Sequence, residues 1–169
     1  MTGQEEWKAI EEIKRLKARY FRCMDTKDWE GYLAVFAPDA EIDSSEAYTP
    51  RDFTGAVFLV DGVAPPEPDL TWRSTNPKQF TAHLAKTLDG VSTVHHGHMP
   101  EIELTSPTTA KGIWSMEDKL RWPEGSPIRE MHGYGHYVET YVRLPQGWRI
   151  QTLKLTRVRV DTIPPGTHG

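Results

Sequence analysis

Asp118 stands where a hydrophobic residue is expected. From Thr109 to Trp122 the chain alternates with period two. One parity, Lys111, Ile113, Ser115, Glu117, Lys119 and Arg121, reads as a solvated face; the other, Ala110, Gly112, Trp114, Met116, Leu120 and Trp122, reads as apolar. Such alternation predicts a strand with one buried face, and Asp118 falls on it. A carboxylate taken out of water is costly unless paired or protonated. Two accounts stay open. Asp118 is a pocket carboxylate whose ionisation a partner controls, or it accepts hydrogen bonds at the rim of a twisted or bulged strand.

Other groups could work with it. His95-His96-Gly97-His98 places three imidazoles within four residues. On a strand His96 and His98 share one face and His95 takes the other. Imidazole titrates near neutrality, which suits a general acid or base; surface and capping histidines are the competing reading. No cysteine or carboxylate stands at a recognisable ligand spacing, so no metal site is expected. Tyr20 lies on an apolar helical stripe, and Asp25 follows Met24 where that helix should end. Each also has a plain reading, a core tyrosine with its hydroxyl at an edge and a turn aspartate. His132, Tyr134, His136 and Tyr137 add titratable and hydroxyl groups to a later strand. There is no GxGxxG after a strand, no GxxxxGK[ST] and no GxSxG. Cys23, inside an amphipathic helix, reads as a small buried residue.

The elements that carry these groups run helices first and strands last. Trp7, Ile10, Ile13, Leu16, Tyr20, Phe21 and Met24 recur at steps of three and four, predicting a helix over 4–24 with Lys14, Arg15, Lys17 and the glutamates mostly solvated. Asp28 can cap a second helix carrying Trp29, Tyr32, Leu33 and Phe36, ending before Pro38. Ala40–Asp43 reads as a short strand. Residues 46–75 hold Pro50, Gly55, Gly62, Pro65, Pro66 and Pro68, and read as a loop or lid. Asn76-Pro77 opens a third helix, with Phe80, Leu84 and Leu88 on one side and Gly90 closing it. Four long strands follow, over 92–104, 109–122, 131–144 and 148–161, with Pro- and Gly-bearing turns between them. The order predicts an α+β fold on an antiparallel meander. Residues 163–169 read as a flexible tail.

Bulk properties narrow the function classes. The chain has 169 residues, 20 Lys+Arg against 24 Asp+Glu, and a pI near 6.0. One domain is expected, with no basic field for nucleic acid. A single cysteine allows no internal disulfide and suits a reducing cytoplasm. The charged N-terminus does not read as a signal peptide, and no apolar run approaches the roughly 18 residues of a membrane span. A cytoplasmic protein without membrane contact is the expectation.

Ile13 to Asp25, Asp28-Trp29-Glu30 and Phe36 to Ala40 together resemble the opening of SnoaL-like proteins of the nuclear transport factor 2-like superfamily. His95 to Leu104, Thr109 to Asp118 and Gly147 to Ile150 continue the likeness, and the 46–75 loop lies outside it. The resemblance implies a cone-shaped barrel: three N-terminal helices on a strongly curved, mainly antiparallel sheet, enclosing a pocket. The domain would span 1–162, with the loop as an insertion. Within the superfamily the bile acid 7α-dehydratase branch is closest in look, and scytalone dehydratase more distant.

By that likeness Tyr20, Asp25, His95, Asp118 and Arg157 would be catalytic, with Arg159 at the same parity as Arg157. Trp114, Met116, Leu120, His98 and Tyr137 would line the substrate pocket. His95 would shuttle a proton with Asp118 orienting it, Tyr20 would serve a developing enolate, and Asp25 would hold Tyr20 or the leaving hydroxyl. The implied function is a cofactor-independent dehydratase or isomerase acting on a cyclic, ketone-bearing hydrophobic substrate such as a steroid or polyketide. A non-catalytic protein binding a small molecule in the same pocket is the alternative. A homodimer or higher homo-oligomer, formed through the outer sheet face around Ile113, is also implied.

Overall fold

Thr2 and Glu5 start the first helix, α1 (Gly3–Asp25), with a capping box. The Glu5 backbone N–H donates to the Thr2 hydroxyl and the Thr2 N–H donates to the Glu5 carboxylate. The computed structural model describes residues 2–50 and 66–164. Ile13, Leu16, Tyr20, Phe21 and Met24 are buried along α1, as the stripe predicts. Two residues depart from it. Trp7 is 66% exposed, and burial begins at Ala9. Lys17, expected in water, has no exposed surface because its ammonium pairs with the equally buried Glu139.

The helix ends in a left-handed turn. Lys27 takes φ +60°, its N–H donates to Met24 O at 3.2 Å, and the Asp28 N–H donates to Cys23 O at 2.8 Å. For a non-glycine residue that conformation costs about 1 kcal/mol. Asp28 then caps α2 (Trp29–Leu33) by accepting from the Gly31 N–H at 2.9 Å. This helix is shorter than expected, and Phe36 begins the strand β1 (Phe36–Asp43). The pairing of β1 is interrupted between Phe36 and Glu41, so the missing N–H of Pro38 breaks no regular ladder.

After β1 the described chain continues to Pro50 and resumes at Pro66. Thr49 Oγ1 donates to Pro66 O at 2.7 Å, and the Asp69 N–H donates to Ser45 O at 2.9 Å, so the described beginning and end of the expected 46–75 loop are joined. A 3-10 turn (Leu70–Trp72), the two-residue strand β2 (Arg73–Ser74) and α3 (Pro77–Thr87) follow. Residues 51–65 of the loop and 165–169 of the tail lie outside the described residues. Four long strands complete the chain: β3 (Ser92–Ser106), β4 (Thr109–Arg121), β5 (Glu130–Leu144) and β6 (Gly147–Ile163).

β3 to β6 pair antiparallel in sequence order, as the long alternations predict, and β1 joins β6 in parallel. The six-stranded sheet is therefore mixed, in the order β2-β1-β6-β5-β4-β3. The α+β architecture is the expected one; among the described residues three α-helices lie on the sheet, but β2 and β3 remain unjoined and the sheet does not close into the expected barrel. α1 packs on both β3 and β6. Those strands stand about 14 Å apart along a flat sheet, more than one helix diameter, so the sheet curves around α1. α3 packs on β1 and α2 bridges α1 and α3. Among the described residues no helix is long and apolar enough to cross a membrane.

Candidate active site

The end of α1 and the inward faces of β3, β4, β5 and β6 meet around one cavity of about 90 Å³. Tyr20 from α1, His95 from β3, Asp118 and Leu120 from β4, Tyr137 from β5 and Arg157 from β6 all line it. Met24, Trp72, Phe80, Leu84 and Leu155 supply apolar wall, so the polar groups converge in a largely hydrophobic hollow.

His95 faces inward because β3 keeps strict alternation up to Gly97. Val91, Thr93 and His95 are buried and His96 is exposed. The register then shifts between Gly97 and Pro100. His98 is exposed and takes no part in the cavity wall, a correction to its expected place in the substrate pocket. His96 turns instead to Glu117 on the other face, 3.5 Å away, and His132 Nε2 lies 2.8 Å from the same carboxylate. The sheet thus separates its histidines by parity: His95 inside, His96 and His132 outside.

Asp25 holds His95. The His95 backbone N–H donates to Asp25 Oδ2 at 2.9 Å, and the ring Nδ1 lies 2.6 Å from Oδ1. The Thr93 hydroxyl donates to Oδ1 at 3.0 Å. Burial raises the pKa of Asp25, but the hydrogen bonds from His95 and Thr93 outweigh it and hold the carboxyl below its ordinary value. An ionised carboxylate only accepts, so the Nδ1–H of His95 is the donor and Nε2 is left towards the cavity. The expectation that Asp25 holds Tyr20 is replaced by this contact.

Asp118 has a different partner from the one expected. It is the register partner of His95 across β3 and β4, yet its Oδ2 stands 3.9 Å from Nε2, beyond hydrogen-bond range. The same oxygen accepts from Arg157 Nη2 at 2.6 Å, and Oδ1 accepts from the Gly133 N–H at 3.1 Å. Asp118 and Arg157 are 2% and 3% exposed, so this is a buried ion pair. Arg157 Nε also donates to Ala47 O at 2.9 Å, and Nη1 lies 3.3 Å from Met116 Sδ. Arg159, at the same sequence parity, is exposed and paired with Asp161, because the β5–β6 register shifts between Tyr134 and Gly135.

Tyr20 packs against Tyr32 and Tyr137, with ring centroids 5.1 and 5.6 Å apart, and burial pushes all three hydroxyls well above the ordinary tyrosine range. They remain neutral donors throughout the physiological range. Behind them Lys17 Nζ lies 3.9 Å from the Tyr20 ring centroid and 3.6 Å from that of Tyr137. Trp114 stands behind the wall rather than in it, donating from Nε1 to Tyr141 Oη at 2.8 Å. Met116 likewise touches Arg157 from behind without lining the cavity.

Sequence reasoning missed Ser44, Tyr48 and Trp72, which line the cavity from segments too irregular to carry a period. It also missed Glu139, although the parity argument that singles out Asp118 applies to it: Tyr137, Glu139 and Tyr141 share the inward face of β5. Among the described residues no group of three or more His, Cys, Asp or Glu is arranged to hold a metal ion.

Comparison with known proteins agrees with this architecture. The profile of the SnoaL-like domain family matches residues 5–154. The chain belongs to that family. The probable cyclase FGR4 of Gibberella zeae is 23% identical over 146 residues, covering 86% of this chain and 89% of that protein. A candidate scytalone dehydratase from Novosphingobium aromaticivorans DSM 12444 superposes with a TM-score of 0.72 at 17% identity, covering 99% of both chains. A type 2 hexachlorocyclohexane dehydrochlorinase (LinA) gives 0.71 at 16% identity, over 99% of this chain and 97% of that one. At such identities the structural likenesses speak for the SnoaL-like fold alone.

Proposed function

We propose that this SnoaL-like protein is a cofactor-independent acid–base lyase or isomerase, most simply a dehydratase, acting on a cyclic, ketone-bearing hydrophobic substrate. One observation carries the reading: the His95 imidazole is fixed by Asp25 on Nδ1 and presents Nε2 to an apolar cavity. In that setting Nε2 takes a proton from the carbon beside the ketone. Tyr20, a neutral donor on the same cavity, stabilises the developing enolate oxygen. Asp25 stabilises the imidazolium, as a carboxylate does for a catalytic histidine. The imidazolium then returns the proton to a β-hydroxyl as the carbon–oxygen bond breaks. Water leaves and an enone remains; on a ketone with a β,γ double bond, return of the proton to the γ carbon instead gives isomerisation.

The relatives' names support the class without identifying the substrate: a cyclase, a dehydratase and a dehydrochlorinase. Self-association through the outer sheet face belongs to the same proposal. Ile113 and Val138, register partners on β4 and β5, are both exposed there. A panel of cyclic β-hydroxyketones, followed by enone absorbance, tests the reaction. The parent should form enone, and His95→Ala should lower the rate by about 10²–10⁴-fold. Saturable binding without enone formation would leave a binding protein. Turnover indifferent to His95 would move the chemistry elsewhere.

A further inference from the structure

Asp25 is an awkward place for a negative charge. It is the last residue of α1, where the helix dipole presents its negative end, and it is partly buried. His95 and Thr93 on β3 donate to it. Behind Thr93 stands a cation: Lys27 Nζ donates to Thr93 Oγ1 at 2.9 Å. A hydroxyl whose oxygen accepts from an ammonium directs its own proton away, here onto Asp25 Oδ1. The backbone supplies an independent sign. Lys27 occupies φ +60°, a conformation that glycine would adopt at no steric cost, and yet a long cationic side chain is present. That chain reaches 66 residues along the sequence to β3.

We propose that Lys27 is a positioning residue, acting through the Thr93 hydroxyl to hold the Asp25 carboxylate that in turn holds His95. The inference rests on the acid–base reading of His95 and adds two tiers to its imidazole and carboxylate: the Thr93 hydroxyl and the Lys27 ammonium. The charged and titratable groups around Asp25 are His95 from β3 and Lys27 from the turn after α1, with the neutral Thr93 hydroxyl between Lys27 and the carboxylate. Beyond the imidazole lies the Asp118–Arg157 pair of β4 and β6.

Three Lys27 variants separate charge from backbone. Lys27→Gly removes the ammonium and relieves the left-handed strain, Lys27→Met removes the ammonium and keeps the strain, and Lys27→Arg keeps the charge. The readout is the titration midpoint of the Asp25 carboxyl carbon by NMR. It should rise by about half a unit in both Lys27→Gly and Lys27→Met, and rise likewise in Thr93→Val, which cuts the relay. Lys27→Arg should restore most of the parent value. An unchanged midpoint in Lys27→Gly and Lys27→Met makes Lys27 a turn residue only and overturns the proposal. A shift in Lys27→Gly that is absent from Lys27→Met assigns the effect to the relieved backbone strain and overturns it too. Failure of the acid–base reading would register separately, as turnover by the same preparations that His95→Ala leaves intact.

Discussion

Asp25 and His95, 70 residues apart in the chain, are joined twice: the His95 backbone N–H donates to Oδ2 at 2.9 Å, and ring Nδ1 stands 2.6 Å from Oδ1. A single bond would let the imidazole swing about it, whereas two fix both the strand position and the ring. Asp118, which faces His95 directly across the sheet, is engaged by Arg157 instead. The two carboxylates near one imidazole therefore do different things. Asp25 sets the tautomer of the ring. Asp118 carries a fixed, compensated charge beyond Nε2.

That division predicts the outcome of a double-mutant cycle. On a substrate that the protein turns over, His95→Ala and Asp25→Asn should each cost roughly 10²–10⁴-fold in kcat. Asn keeps the size of Asp25 but loses the charge that stabilises the imidazolium. The double variant should be little worse than the worse single, since either change disables the unit. Fully multiplicative losses would mean that Asp25 and His95 act independently.

Breaking the Asp118–Arg157 pair should register in stability. Arg157→Met strands a buried carboxylate and should destabilise the fold by about 3–5 kcal/mol in urea unfolding. Asp118→Asn combined with Arg157→Met removes both charges and should recover a large part of that loss. A cost below about 1 kcal/mol for Arg157→Met would show that water already reaches Asp118.

The sequence carried the fold where period and capping spoke together. α1, α3 and the four long strands follow from apolar spacing, from Asn76-Pro77 and from alternation over more than ten residues. Parity alone picked out Asp118, and the same rule applied to β5 would have found Glu139. Lys17 is buried against expectation because its position on the helix outweighs its charge. It stands one turn after Ile13 and one turn before Phe21, on the buried stripe itself. The pairing of Asp25 rather than Asp118 with His95 was not legible, because register brings Asp118 opposite His95 while the tertiary path of α1 brings Asp25 to Nδ1. β1 began earlier than expected since an interruption in its pairing accommodates Pro38.

Gly133 is required by close approach. Its N–H donates to Asp118 Oδ1, and a methyl group there would run into that same oxygen and come within 2.5 Å of Arg157 Nη1 and 2.7 Å of Cζ. Both neighbours are buried and tied to each other, so neither can swing aside freely. Gly133→Ala should destabilise the protein by about 1–3 kcal/mol through overpacking, and should lower turnover by disturbing the Asp118–Arg157 pair. Equal stability by urea unfolding would show that the pair can shift without loss.

The Lys17–Glu139 pair should leave its mark above neutral pH. Burial lowers the pKa of Lys17 to about 8 although Glu139 pulls the other way. The unfolded chain holds this proton up to its ordinary value near 10.5. Between those two values the unfolded state therefore binds more protons than the folded one, and the contribution of Lys17 to stability rises with pH. Below pH 8 the lysine is charged in both states and the burial penalty is present in full. The comparison is with Lys17→Met/Glu139→Gln, which lacks the titrating amine and keeps an acceptor for the Tyr141 hydroxyl that Glu139 now receives. From pH 7.5 to 9.5 the parent should gain on the double variant by about 2 kcal/mol in urea unfolding. Curves that stay parallel would mean that the ammonium, held between the Tyr20 and Tyr137 rings, keeps its proton throughout. A parent that loses ground over this range would reverse the sign and mean that Glu139 and the rings together stabilise the cation more than burial opposes it.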